Sequence, residues 1–198
     1  MKANHPLLKI AQNQSGLFTS HQAIEVGVDP RNHSYHLKVG NWSRIKKGIY
    51  HLNIIQADSK RDFFLYQLWA RNRKDEQVGV FSYETALYLM NVEINYPSKF
   101  HITVPDNFRR TICSDKLVLH YEKLNILEKK NVNNLYATDI RKTFQDLISS
   151  GFHRPEWIKQ KLKIAIEKKI ISLEEIKTIT IHDNVRQIFN AILFELSD

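Results

Sequence analysis

Apolar and polar positions recur with helical spacing in two short segments near the start of the chain. The first segment has its apolar positions within residues 23–26. Thr19 and Gln22 precede them with capping-box spacing, in which the hydroxyl accepts an early helix N–H and the amide oxygen accepts the N–H of the capping residue. Gly27 then offers a stop, because glycine readily adopts the left-handed backbone of a helix end. The pattern predicts a short capped helix ending at Gly27.

The second segment predicts a helix from Asp29-Pro30 to about Val39. Aspartate is a favourable N-cap, and proline fits the first helical position because no N–H is needed there. Gly40 stands where a left-handed C-terminal cap belongs. Two helices joined by a tight turn with glycine form a helix-turn-helix, whose second helix can enter the major groove of DNA.

Helical spacing divides this second helix into two faces. We assign His33, His36 and Leu37 to the core. The opposite face is assigned to solvent or nucleic acid, with Arg31, Ser34, Tyr35 and Lys38 on it and Asn32 at its edge. Arginine can bind guanine, and asparagine can bind adenine, through two hydrogen bonds. Arg31 and Asn32, which are nearest the N-terminus of the helix, are therefore the predicted base contacts.

A hairpin is predicted directly after the helix pair, within Trp42 to Leu52. β-Branched and aromatic residues surround Lys46-Lys47-Gly48, which supplies the glycine that such a turn favours. A basic hairpin after a helix-turn-helix is typical of a wing, whose cations meet phosphates beside the groove. We therefore predict a winged helix-turn-helix over residues 1–53, with Arg44, Lys46 and Lys47 as phosphate contacts.

The rest of the chain predicts an α+β domain over residues 54–198, with a small β-sheet and several helices. Strands are indicated at Lys99 to Val104, Leu117 to Tyr121 and Leu135 to Ala137, which are rich in β-branched and aromatic residues. Apolar residues at helical spacing predict helices over about residues 6–14, 59–74, 83–91, 139–150, 155–169 and 184–196, and Ser172 with Glu175 caps a further one. The boundary between the two domains is expected near Asn53.

Positive charge is concentrated in the first domain. The formal net charge of the 198 residues is +8, and residues 1–52 hold seven Lys or Arg against two acidic residues. This asymmetry places a polyanion-binding surface near the N-terminus. A single cysteine, Cys113, excludes an intrachain disulfide. No apolar stretch has the length of a membrane span or a secretory leader, so we expect a cytoplasmic protein with no membrane partner.

No residue pattern for catalysis, for a cofactor or for a metal ion stands out, and we expect a protein that is not an enzyme. His33 and His36 have no third ligand to complete a metal site. A nuclease-like alternative rests on the Glu-x-Lys spacings Glu128-x-Lys130 and Glu167-x-Lys169, with a further carboxylate from Asp115 or Asp146. Such pairs arise by chance in a chain with 25% charged residues. A metal-dependent nuclease is therefore the less favoured hypothesis.

Several short motifs resemble the abortive-infection AbiE antitoxin family. Leu17-Phe18-Thr19 and Gly48-Ile49-Tyr50-His51-Leu52 are similar to its N-terminal winged helix. Ser82-Tyr83-Glu84-Thr85-Ala86-Leu87, His101-Ile102-Thr103-Val104-Pro105 and Arg141-Lys142-Thr143-Phe144-Gln145-Asp146-Leu147 are similar to landmarks of its C-terminal region. These proteins are antitoxins of type IV toxin–antitoxin systems. The resemblance implies autorepression at inverted repeats in the promoter, and a C-terminal domain that opposes a nucleotidyltransferase-like toxin without a stable complex.

Two functional hypotheses therefore stay open. The first is a repressor that is also an antitoxin, and the second is a solitary winged-helix regulator whose C-terminal domain senses a ligand or mediates assembly. Both take double-stranded DNA as the partner, and an inverted repeat would take two protomers. They differ in whether an adjacent reading frame encodes a nucleotidyltransferase-like protein.

Overall fold

The computed structural model describes the backbone of residues 5–197 and the side chains of residues 6–196. It is a mixed α+β structure with two small sheets, which confirms the α+β part of the predicted fold class. The chain divides into two compact units. The first holds the described residues up to Gly79 together with Asn133–Leu135, and the second holds Val80–Val132 and the chain from Tyr136 onward. No helix within the described part is long and apolar enough to cross a membrane.

The first unit combines four short helices with a three-stranded antiparallel sheet. Its elements are α1 (His5–Gln12), β1 (Leu17–Thr19), α2 (Ser20–Glu25), α3 (His33–Lys38), β2 (Trp42–Lys46), β3 (Ile49–Leu52) and α4 (Arg61–Trp69). The sheet order is β1-β3-β2, so the hairpin β2–β3 is flanked by the strand that leads into α2. The sequence did not predict β1, a three-residue strand that pairs with the distant β3.

Local capping signals start α2 and the turn before α3, and glycines follow the ends of both helices. The Thr19 hydroxyl accepts the Gln22 N–H, and the Gln22 side chain accepts the Thr19 N–H at 2.9 Å, so the predicted capping box is confirmed. Gly27 and Gly40 follow α2 and α3 with positive φ, as expected of helix stops. The helix predicted to begin at Pro30 starts instead as a 3₁₀ turn over Pro30–Asn32 and becomes α-helical at His33. Short helices often tighten in this way at their ends, where i→i−4 bonds are missing.

The first unit is longer than the predicted domain of residues 1–53. Helix α4 packs against β1 and β3, and it buries the side chains of Phe63, Phe64 and Leu68. The chain then turns back through a bridge between Arg71 and Gln77, so α4 ends at Trp69 rather than near residue 74. Because these contacts join α4 to the first sheet, the division between the units falls after Gly79, and the boundary expected at Asn53 lies inside the first unit.

The second unit is built on a five-stranded sheet with the order β6-β5-β4-β8-β7. The strands are β4 (Val80–Phe81), β5 (Phe100–Val104), β6 (Leu117–Tyr121), β7 (Lys129–Val132) and β8 (Leu135–Thr138). The helices are α5 (Tyr83–Leu89), α6 (Ile140–Ser150), α7 (Pro155–Glu167), α8 (Leu173–Lys177) and α9 (Asp183–Ser197). Strand β4 is antiparallel to β5 and parallel to β8, whereas β5 and β6 are parallel.

The three predicted strands correspond to β5, β6 and β8, and β4 and β7 were not predicted. Strand β4 has only two residues, too few to show a period, and the sequence of β7 is Lys-Lys-Asn-Val, which reads as a polar loop. Its side chains are mostly exposed, as is common for an edge strand. Ser172 and Glu175 form the predicted capping box at the start of α8.

Gly16 provides a sharp test of the packing between β1 and β3. Its φ is +83°, and a Cβ there would overlap the Nε2 atom of His51. Gly27 is the matched control, because its φ is +87° and a Cβ would meet nothing within 4 Å. We expect Gly27→Ala to lower the free energy of unfolding by about 1–2 kcal/mol through backbone strain alone.

Gly16→Ala should cost about 0.5–1.5 kcal/mol more than that control, because the added Cβ forces the His51 ring to turn and to lose its contact with Asn53. Urea unfolding of both variants measures the difference. Equal destabilisation by the two substitutions would contradict the close approach of His51 to Gly16.

Candidate nucleic-acid interface

The predicted outward face of α3 and its preceding turn is exposed in the structure. The side chain of Arg31 is 88% exposed, and Tyr35 is 60% exposed. Asn32, Ser34 and Lys38 are exposed as well. The residues assigned to the core, His33, His36 and Leu37, are partly buried. The two faces predicted from helical spacing are therefore confirmed as an exposed side and a partly buried side.

A set of aromatic contacts fixes α3 against the hairpin. The ring of His36 stacks on Trp42 of β2 with centroids 4.7 Å apart, and His33 lies 5.1 Å from the same indole. Trp42 is 3% exposed and meets Phe18 edge-on at 4.8 Å, inside the core of the unit. Tyr50 of β3 packs on the same indole at 5.6 Å. Because α3 packs on Trp42 of the hairpin, the position of the outward face of α3 relative to the hairpin is fixed.

The two histidines pack their rings on Trp42 and differ in their polar contacts. Burial lowers the pKa of His33, and the neighbouring His36 lowers it further, so His33 is neutral at physiological pH. The Nε2 atom of His33 is buried and has no hydrogen-bond partner among the described residues. The Nδ1 atom of His36 lies 3.2 Å from the side-chain amide of Asn41. No group of three or more His, Cys, Asp or Glu within the described chain is placed to hold a metal ion.

Arg31 differs from the predicted position in one respect. It lies in the 3₁₀ turn before α3, and its guanidinium is paired with the carboxylate of Asp29, with Nη2 2.6 Å from Oδ2. Hydrogen bonds from Arg31 are the main reason that the pKa of Asp29 is lowered. The cation of Arg31 is therefore partly compensated. The hydroxyl of Ser34 donates to the Arg31 carbonyl at 3.4 Å, which links the turn to α3.

The hairpin confirms the predicted turn and shows unequal exposure of its three cations. Gly48 has φ +76° in the turn, and Lys47 beside it is exposed. Arg44 is also exposed, whereas Lys46 is partly buried. A register shift between Arg44 and Lys46 marks a bulge in β2. A bulge re-aims side chains, and this one lies next to the turn that carries the cations.

A second polar cluster, which the sequence did not predict, lies in the second unit around Lys142 of α6. The Lys142 ammonium donates to both carboxylate oxygens of Glu122, at 2.6 and 2.8 Å, and to Asp146 at 2.7 Å. Lys142 is only 5% exposed and Asp146 8% exposed. In the sequence, only the i, i+4 spacing of Lys142 and Asp146 indicates an ion pair at this place. The link to Glu122, which follows β6, depends on the fold.

Burial acts in opposite directions on the two partners. Burial opposes the charge of Lys142, but the hydrogen bonds that Lys142 donates to Asp146 and Glu122 outweigh it and raise the pKa of Lys142. For Asp146 burial is the dominant effect, and it raises the pKa to about 6 in spite of the nearby ammonium. One oxygen of Asp146, Oδ2, is buried and accepts no hydrogen bond among the described residues. Two carboxylates, one buried and one half exposed, thus share one ammonium.

Tyr83 and a row of histidines border this cluster. Tyr83, at the start of α5, has φ +52°, which is unusual for an aromatic residue, and burial raises its pKa to about 12. Its ring stacks on His120 at 4.0 Å, and the Nε2 atom of His120 lies 2.9 Å from Nδ1 of His101. Burial lowers the pKa of His120 to about 4. Glu84 lies beyond His101 and makes a 2.6 Å contact with His153.

The residues of the nuclease alternative are distributed over several elements. Asp146 belongs to the Lys142 cluster on α6, Glu128 ends a 3₁₀ turn before β7, and Glu167 is the last residue of α7. Asp115 lies in the loop before β6. Only Asp146 among these four is buried.

Comparison with known proteins gives one structural relationship. No family model and no curated protein matches this sequence. Among solved structures, the RV2827C protein from Mycobacterium tuberculosis is similar, with 14% sequence identity and a TM-score of 0.55. The match covers 95% of this chain and 74% of that chain. At this identity the likeness shows a shared fold.

The raised pKa of Asp146 predicts how stability depends on pH. The pKa of about 6 in the folded state exceeds the ordinary aspartate pKa of 3.8, so the folded state binds the proton more tightly. The contribution of Asp146 to stability therefore rises as pH falls from about 6 to about 4. Asparagine cannot titrate. Relative to Asp146→Asn, the wild type should gain roughly 2 kcal/mol between pH 7.5 and pH 4.

Urea unfolding of both proteins at a series of pH values measures this difference. His120→Asn is the matched control with the opposite sign, because the pKa of His120 is lowered from 6.5 to about 4 by burial. The wild type should lose stability relative to His120→Asn as pH falls through that window. A pH-independent difference between wild type and Asp146→Asn would show that Asp146 does not titrate in this range.

Proposed function

We propose that this protein is a DNA-binding transcriptional autorepressor and the antitoxin of a type IV toxin–antitoxin system, opposing a nucleotidyltransferase-like toxin. The observation that carries the DNA-binding part is the exposed polar face of α3 beside a basic hairpin turn, with both elements held on Trp42. Such an arrangement fits a winged helix-turn-helix, in which α3 enters the major groove and the β2–β3 hairpin lies along the backbone.

One set of residues would contact DNA bases, and a second set would contact phosphates. Asn32 and Arg31, at the start of the α3 segment, are proposed to contact base edges, with Ser34, Tyr35 and Lys38 beside them. Arg44, Lys46 and Lys47 of the hairpin are proposed to neutralise phosphates. The concentration of positive charge in residues 1–52 supports this division, because phosphate attraction dominates the affinity of DNA-binding proteins.

The antitoxin part of the proposal rests on the resemblance to the AbiE antitoxin family. Its C-terminal landmarks fall on structured elements of the second unit: one motif covers the start of α5, one covers most of β5, and one lies within α6. We propose that the second unit opposes the toxin, that two protomers bind an inverted repeat in the promoter, and that the protein works in the cytoplasm.

One observation favours the alternative of a solitary regulator that responds to a ligand. A groove of about 680 Å³ in the first unit is lined by apolar residues of α1 and β2–β3, and by Asn32 and His36. This volume lies within the range of small-molecule sites. A ligand there would touch the α3 segment directly. The absence of a nucleotidyltransferase-like reading frame next to this gene would favour that alternative.

Asn32→Ala and Lys47→Ala form a pair that tests the DNA-binding proposal. Asn32→Ala should weaken binding to the protein's own promoter by about 1–3 kcal/mol and leave scrambled duplex nearly unchanged, because it removes a base contact. Lys47→Ala should weaken both duplexes alike and lower the salt slope by about one. Titrations at several salt concentrations measure both effects. Equal wild-type affinity for promoter and scrambled DNA at physiological salt would refute a specific repressor.

A full-length variant can separate repression from antitoxin activity. Lys38→Ala with Lys47→Ala should abolish repression of a promoter reporter, because two cations of the interface are lost. The same variant should still rescue growth when the cognate toxin is expressed, because the second unit is intact. A variant that is folded and abundant yet fails to rescue would mean that neutralisation needs the DNA-binding surface.

A further inference from the structure

The guanidinium of Arg31 is held along one edge by the carboxylate of Asp29. Its Nε atom lies 3.1 Å from Oδ1 and 3.0 Å from Oδ2, and its Nη2 atom lies 2.6 Å from Oδ2. The same Oδ1 atom accepts the backbone N–H of Arg31 at 2.9 Å. The carboxylate is thereby tied to the turn that leads into α3, and it fixes both the backbone and the side chain of Arg31.

The terminal edge of the guanidinium, on the side of Nη2 that points away from Asp29, meets no partner among the described residues. Nη1 makes no hydrogen bond among the residues that the structure describes, and Nη2 keeps a second hydrogen. The side chain of Arg31 is 88% exposed. The terminal edge formed by Nη1 and Nη2 presents two parallel donors, which match the O6 and N7 acceptors of guanine in the major groove.

The charge of Asp29 also selects between possible partners of Arg31. A carboxylate beside the guanidinium offsets its net charge and repels phosphate oxygens, so the pair gains little from the DNA backbone. Guanine carries no net charge, and its acceptors can still bind the free edge. A long arginine side chain that is already ordered also loses less conformational entropy when it binds.

We propose that Asp29 is a positioning residue that aims Arg31 at a guanine and keeps it from serving as a phosphate contact. This proposal rests on the proposed DNA-binding function and adds the base and the residue that sets its preference. Capping alone does not require a carboxylate, because asparagine and serine are equally good N-caps. Only the carboxylate holds the guanidinium by charge-assisted hydrogen bonds.

The test selects binding sites from a library of duplexes with a randomised central segment. It compares wild type, Asp29→Asn, Arg31→Ala and the double variant. Wild type should enrich guanine at one position of each half-site. Asp29→Asn should keep the rest of the motif, reduce the guanine preference at that position about tenfold, and bind random duplex at least as tightly as wild type. Its salt slope on random duplex should rise by about one, because the guanidinium becomes free to meet a phosphate.

The double variant should match Arg31→Ala, because Asp29 acts only through Arg31. Asp29→Ser, which keeps a capping side chain but no charge, should repeat the result of Asp29→Asn, and thermal unfolding checks that each variant is folded. An unchanged guanine preference in Asp29→Asn would overturn the proposal, as would equal weakening of selected and random duplexes. Failure of the wild type to enrich any motif would instead overturn the proposed function itself.

Discussion

The packing of Trp42 determines the arrangement of the first unit. Its indole lies between the buried core, where it meets Phe18, and the rings of His36 and His33 on α3. A six-residue helix has little stability of its own, because helix nucleation is unfavourable and few internal bonds form. Tertiary contacts must therefore hold α3 in place, and Trp42 supplies them from the strand that also leads to the hairpin turn. One side chain thus links the two elements of the proposed interface.

The sequence predicted those local features whose stabilising interactions lie within a few residues of one another. The capping boxes at Thr19 and Ser172 and the aspartate cap at Asp29 depend on side chains within one turn, and the structure has all three. The exposed and buried faces of α3 followed from helical spacing. The features that the sequence did not predict depend on tertiary contacts. Strand β1 forms because it pairs with β3. The first unit extends to Gly79 because α4 packs on the same sheet. The cluster around Lys142 likewise joins α6 to a residue after β6.

Positive charge in the first unit is less uniform than its composition suggests. Arg31 is compensated by Asp29, Lys46 is partly buried, and Lys47 and Arg44 are exposed. Because each cation has a different environment, some cations on such a surface can contact DNA bases while others contact phosphates. In the second unit the charge of Lys142 is balanced by two carboxylates. That ammonium is therefore a structural group and not a free cation for a polyanion.

We propose that the α3 segment and the hairpin turn bind double-stranded DNA. An NMR titration of the full-length protein with a promoter duplex, observed at backbone amides, tests it most directly. We expect the largest shifts within residues 29–38 and 44–48, with smaller changes in the second unit. Shifts confined to the second unit, or the absence of shifts in both segments at saturating duplex, would contradict it.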